Sequence, residues 1–75
     1  MNLLSINNYA EYIEFEFGES ISESLTVTIF KNIEKNDTTY TVEITTNNVN
    51  FNYNDVLRSV IKANDLFHFI INQQG

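Results

Sequence analysis

Between Tyr9 and Tyr53 apolar and polar residues alternate with a period of two, the pattern of strands that bury one face. In Tyr9–Phe17, Ile13, Phe15 and Phe17 fall on one side, and Tyr12, Glu14 and Glu16 on the other. Leu25, Val27, Ile29 and Ile33 lie opposite Thr26, Thr28 and Phe30, and Tyr40, Val42 and Ile44 alternate with Thr39, Thr41, Glu43 and Thr45. Gly18–Ser24 reads as a loop. Asn36-Asp37 reads as a two-residue turn, since both residues tolerate positive φ. That turn sets Ile33 opposite Tyr40 and Ile29 opposite Ile44. A second turn at Asn47-Asn48 sets Ile44 opposite Phe51 and Val42 opposite Tyr53. Both registers keep apolar residues on one face. The pattern predicts a three-stranded meander over residues 25–53, with the 9–17 strand added as the fourth.

After Tyr53 the period changes to 3.6. Asn54 or Asp55 can cap a helix. Val56, Leu57, Val60, Ile61, Ala63, Phe67, Ile70 and Ile71 then form one stripe, with Arg58, Ser59, Lys62 and Asp65 opposite. Leu66–Ile71 would also suit a short fifth strand after an Asn64-Asp65 turn, but Phe67, Ile70 and Ile71 stay on the stripe and favour helix. The expected fold is α+β, a single two-layer domain spanning residues 1–75. In it a four-stranded antiparallel β-meander packs against one C-terminal α-helix, in the order β-β-β-β-α. Residues 1–8 read as a flexible tail, a helical turn or a strand extension.

Composition adds limits. Seventy-five residues make one small domain, and the absence of Cys removes disulfides, thiol chemistry and cysteine-based zinc sites. Ten Phe and Tyr supply bulk to the core, while no Pro and two Gly leave turns to Asn, Asp and Ser. The N-terminus shows no signal-peptide pattern, and no stretch reaches membrane-spanning length, so the expectation is a cytoplasmic protein.

Charge changes the picture more. The chain holds 10 acids and 4 bases, a net charge of −6. Glu11, Glu14, Glu16, Glu19 and Glu23 precede the first cation, Lys31, so residues 1–30 carry −5 and residues 31–75, with five acids and four bases, carry −1. Such asymmetry favours a basic partner and disfavours nucleic acid or an anionic membrane. Glu14 and Glu16 stand about 6.6–6.8 Å apart along a strand. That is near twice the ~3.4 Å axial step between phosphates of one DNA strand. Extended by Glu11, Glu19 and Glu23, such a row can imitate a nucleic-acid backbone, with Tyr12 as an aromatic anchor. The alternative is a solvated edge that keeps the protein soluble.

No constellation names a reaction. His68, the sole His, lacks an orienting partner or a nucleophile motif, so no catalytic residue is expected. Asn48, Asn50, Asn52, Asn54 and Asp55 superficially resemble a calcium loop but lack its charge, its turn Gly and its bidentate Glu. No metal or cofactor is expected. Leu66 and Phe69 fall on the polar side of the helix and are candidates for an oligomer interface.

These features imply a small acidic non-enzymatic protein that occupies a basic, nucleic-acid-handling surface of a partner. In size and charge it resembles the inhibitors that phages deploy against host defences, anti-CRISPR proteins among them, which would act in the host cytoplasm. The likeness spans no motif and carries over no residue. The second reading is a structural or assembly subunit, a homodimer whose acidic face only solubilises. A third is a small enzyme using His68.

Overall fold

A computed structural model describes residues 2–47 and 50–74. Four antiparallel strands form one open sheet in sequence order, followed by a single helix: β1 (Asn2–Asn8), β2 (Tyr12–Ser20), β3 (Glu23–Glu34), β4 (Asp37–Thr46) and α1 (Tyr53–Gln74). This is the expected small α+β domain, but two strands differ from the reading above. Residues 2–8, read as a tail, a helical turn or a strand extension, form a strand of their own, edge strand β1, which pairs with β2 through Leu3↔Phe17 and Ile6↔Phe15. A bulge between Leu3 and Ser5 breaks the alternation there, which hides the strand in the sequence. Of the strand expected at residues 49–53, the described residues 50–53 form none: Asn50–Asn52 are irregular and the helix begins at Tyr53. Asn48 and Val49, which belong to that expected turn and strand, lie outside the described residues.

The β3–β4 hairpin turns at Lys35-Asn36, one residue earlier than expected, and Lys35 takes the positive φ of 54°. The register becomes Ile29↔Val42 and Val27↔Ile44. This moves the pairing by two residues and so leaves every side chain on its expected face. The expected 18–24 loop contracts to a tight turn at Ile21-Ser22, because β2 runs on to Ser20 and β3 starts at Glu23. A register shift between Gly18 and Ser20 absorbs the extra residue. The Asn47 amide donates to the Ile21 carbonyl (3.0 Å) and ties this turn to the end of β4.

Ile13, Phe15, Phe17, Leu25, Val27 and Ile29 from the two central strands meet Ala63 and Phe67 of α1 in the core. Each of these side chains except the small Ala63 contributes about 1.5–3 kcal/mol by leaving water. Asn52 caps the helix in place of the expected Asn54 or Asp55, its side-chain oxygen accepting from the Asn54 N–H at 2.8 Å. The helix continues unbroken through Leu66–Ile71.

The buried face of the helix is turned from the expected stripe by roughly half of one residue's 100° step. Ser59, expected to be exposed, is buried, and its hydroxyl donates to the Asp55 carbonyl at 2.9 Å, so burial leaves no bond unmade. Leu66 packs against the core, whereas Leu57 and Ile61 are 43% and 54% exposed. The helix backbone approaches β3 and β2 but neither edge strand. Tyr40, Val42 and Ile44 of β4 therefore remain nearly half exposed on the helix side of the sheet.

Candidate acidic face of the open sheet

The face of the sheet away from the helix is built by the residues that alternate with the core. Ile13, Phe15 and Phe17 point inward, so Tyr12, Glu14 and Glu16 of β2 point outward. The pairings place neighbours beside them in three rows. Tyr12 lies opposite Phe30, and Phe30 opposite Thr41. Asn7, Glu14, Thr28 and Glu43 form the second row, and Ser5, Glu16, Thr26 and Thr45 the third.

The first row is aromatic. The Tyr12 ring lies 4.7 Å from that of Tyr9 and 5.1 Å from that of Phe30, centroid to centroid. Backbone pairing of the Tyr9 N–H with the Tyr12 carbonyl (2.9 Å) holds the β1–β2 turn under this stack. The charge of Glu14, assisted by desolvation, raises the pKa of the Tyr9 phenol above its ordinary value. Below this row Glu14 and Glu43 flank the buried Thr28, two strand spacings or about 9–10 Å apart. Glu16 is fixed more firmly: the Ser5 hydroxyl donates to Oε1 (3.3 Å), and the Ser24 hydroxyl lies 3.2 Å from Oε2.

No Lys or Arg belongs to these rows. Lys31 alternates with Phe30 onto the helix side and pairs with Tyr40, Arg58 and Lys62 stand on the helix facing β1 near Leu3, and Lys35 is in the hairpin turn. The open face therefore presents carboxylates and aromatic rings without a compensating cation.

Of the residues expected to bind a partner, Tyr12, Glu14 and Glu16 converge on this face. Glu11 sits at the β1–β2 turn, and Glu19 and Glu23 flank the opposite turn, about 26 Å along the strand from it. The six are thus not one patch. Phe30, which alternation already set on the outer face, joins this face beside Tyr12, and so do Glu43 and Tyr9, which were not among the residues expected to bind. Glu43 was legible as an outward residue between Val42 and Ile44, but only the true register sets it beside Glu14. The oligomer candidates also separate: Leu66 is committed to the core, while Phe69 stays 63% exposed.

Among the described residues no group of His, Asp and Glu is arranged to hold a metal ion. His68 is exposed on the helix, edge-on to its neighbour Phe67. A hollow of about 290 Å3 at the aromatic end is lined by Tyr9, Glu11, Tyr12, Lys31 and Phe67, with neither Ser nor His among its walls. No helix among the described residues is long and apolar enough to cross a membrane. Comparison with family models, with curated proteins and with solved structures finds no match to this chain.

Proposed function

We propose that this chain is a small non-enzymatic binding protein that inhibits a partner by covering its basic, nucleic-acid-binding surface. The observation that carries the reading is the open face itself, where Glu14, Glu16 and Glu43 stand beside Tyr12 and Phe30 with no cation among them. Carboxylates accept paired hydrogen bonds from guanidinium groups, and aromatic faces attract the same groups through their quadrupole. A surface of arginines that otherwise grips phosphates is the chemistry this face complements. Carboxylates speed encounter and the rings add affinity. The reading agrees with the size-and-charge likeness to phage inhibitors of host defence, and it places the site of action in the cytoplasm.

A structural or assembly role draws on a different surface, the exposed apolar row of β4.

Capture from the source cell's lysate on immobilised wild type and on Glu14→Lys/Glu16→Lys tests the reading. The expected result is a nucleic-acid-binding protein held by the wild type alone and released by salt or by added duplex DNA. Equal capture by both proteins, or capture indifferent to salt and DNA, overturns it.

A further inference from the structure

The two edges of the sheet are not equivalent. β1 is seven residues long and bulged between Leu3 and Ser5, features that blunt an edge against pairing. β4 is ten residues long, exposed throughout and regularly paired to β3 over its whole length, and it carries no Lys or Pro. The direction of its backbone groups follows from two fixed points. Glu34 and Asp37 close the hairpin, and the Asn47 N–H donates to the Ser24 carbonyl at 2.9 Å. Counting in twos from either point, Thr39, Thr41, Glu43 and Thr45 bond to β3. The N–H and C=O groups of Thr38, Tyr40, Val42, Ile44 and Thr46 then point outward along the free edge. The middle three of these five, Tyr40, Val42 and Ile44, are thus the same residues whose apolar side chains the helix leaves half uncovered.

We propose that a second copy of this chain pairs with β4, antiparallel about a two-fold axis at Val42, to make one continuous eight-stranded sheet. Only certain registers suit the sequence. Pairing Val42 with itself sets Tyr40 opposite Ile44 of the second copy, Ile44 opposite its Tyr40, and Thr38 opposite its Thr46. On the other face Glu43 meets Thr41 and Thr39 meets Thr45. Every apolar side chain meets an apolar one and no acid faces an acid directly. Centring on Tyr40 instead sets Glu43 against Asp37. Setting Val42 against Ile44 puts Glu43 opposite its own mate. Setting Tyr40 against Val42 leaves Ile44 facing Thr38.

A two-fold axis uses one patch twice, as a stable homodimer does. The ten exposed residues of β4, with Leu57 and Ile61 of the helix, offer surface on the scale of the roughly 800 Å2 per partner that a stable pair buries. The cost is electrostatic. Each copy carries −6, and the two Glu43 side chains fall diagonally across the axis, about 7–8 Å apart. Salt therefore strengthens this association, the opposite of its effect on the acidic face and a basic partner.

The test is molar mass by sedimentation equilibrium at low and high salt, for wild type, Val42→Lys, Val42→Glu and an equimolar mixture of the two variants. Val42 is 48% exposed, so both variants keep the fold, which circular dichroism checks. The expected result is a wild-type dimer tightened by salt. Each variant alone is weakened at least about tenfold by like charge at the axis, and dimer returns in the mixture. Amide exchange then slows at Tyr40, Val42 and Ile44 in wild type and stays fast in Val42→Lys. A wild type that remains monomeric at high salt, or a Val42→Lys protein that dimerises as well as wild type, overturns the proposal. So does a monomer whose β4 amides become protected only when another protein's strand is added.

Discussion

Tyr40 meets Phe67 edge to face, with ring centroids 5.4 Å apart and an interplanar angle of 81°. This is the single aromatic contact between β4 and the helix among the described residues, and it spans a gap that the helix backbone does not close. Phe67→Ala is expected to destabilise the fold by about 3–5 kcal/mol, since the ring is buried in the core. In a double-mutant cycle with Tyr40→Ala, the coupling between the two rings is expected at about 0.5–1.5 kcal/mol. Urea denaturation of the four proteins measures both. A coupling near zero would show that the contact contributes only buried area.

The rotation of the helix can be read at Ser59. Ser59→Ala is expected to change stability by no more than about 1 kcal/mol, because the Asp55 carbonyl keeps its helical bond when the hydroxyl is lost. Ser59→Asp places a charge in the core and is expected to unfold much of the population at room temperature. Were the helix turned as the sequence pattern alone implies, Ser59 would face water and both substitutions would be mild. Thermal melts distinguish the two orientations.

Gly18 holds the bulge before the β2–β3 turn with a φ of 157°. A Cβ there would collide with the Glu23 carbonyl oxygen and come within 2.8 Å of the Ser24 Cα, both backbone atoms that cannot swing aside. Gly18→Ala is expected to cost about 1–3 kcal/mol. Amide exchange should show the loss first at Ser24 and Leu25, where the turn hands over to the core.

The phenol of Tyr9 supplies a pH test of the open face. Its pKa is raised chiefly by the charge of Glu14. The folded state therefore holds this proton longer than the unfolded chain. The stability it contributes is intact below the unfolded tyrosine value, about pH 10, and declines as pH rises through the higher folded value. Glu14→Gln should bring the Tyr9 titration down toward the ordinary range, read from its ring resonances. An unmoved titration would place the two groups further apart than the stack implies.

The register of the hairpin and the face of each of its residues were legible to different degrees, and the reason is parity. Moving the turn from Asn36-Asp37 to Lys35-Asn36 changed every partner on β3 and β4, yet Leu25, Val27 and Ile29 kept the buried side because the shift was even. Nothing in the residue types singles out Lys35 to adopt positive φ, so the turn itself was hidden. The first strand was hidden for another reason. The Leu3–Ser5 bulge puts two adjacent leucines where alternation should be, and a strand so interrupted resembles a tail. The alternation of Phe51 with Tyr53 makes no strand, because the Asn52 cap, a local feature, starts a helix at the end of that run.

The acidic face was half legible for the same reason. Alternation alone assigns Tyr12, Glu14 and Glu16 to one side of β2. The place of Glu43 in the row of Glu14 depends on strands that are distant in sequence and on a register that only the folded hairpin fixes. Ser59 and Leu66 exchanged roles because a serine that bonds its own helix behaves as a small apolar residue, which a hydropathy pattern does not register.

The separation of charge between the two sides of the sheet has a mechanical consequence. With Glu14, Glu16 and Glu43 on one side, and with Lys31, Arg58 and Lys62 outnumbering the helix's Asp55 and Asp65 on the other, the molecule carries an electric dipole across the sheet in addition to its net charge. In the field of any strongly positive body that dipole feels a torque, which turns the open sheet forward and the helix away before the surfaces touch. Rotational search is ordinarily what slows the docking of two specific patches. A chain of this size, with three of its four cations behind its sheet, would begin such a search already turned toward a positive surface.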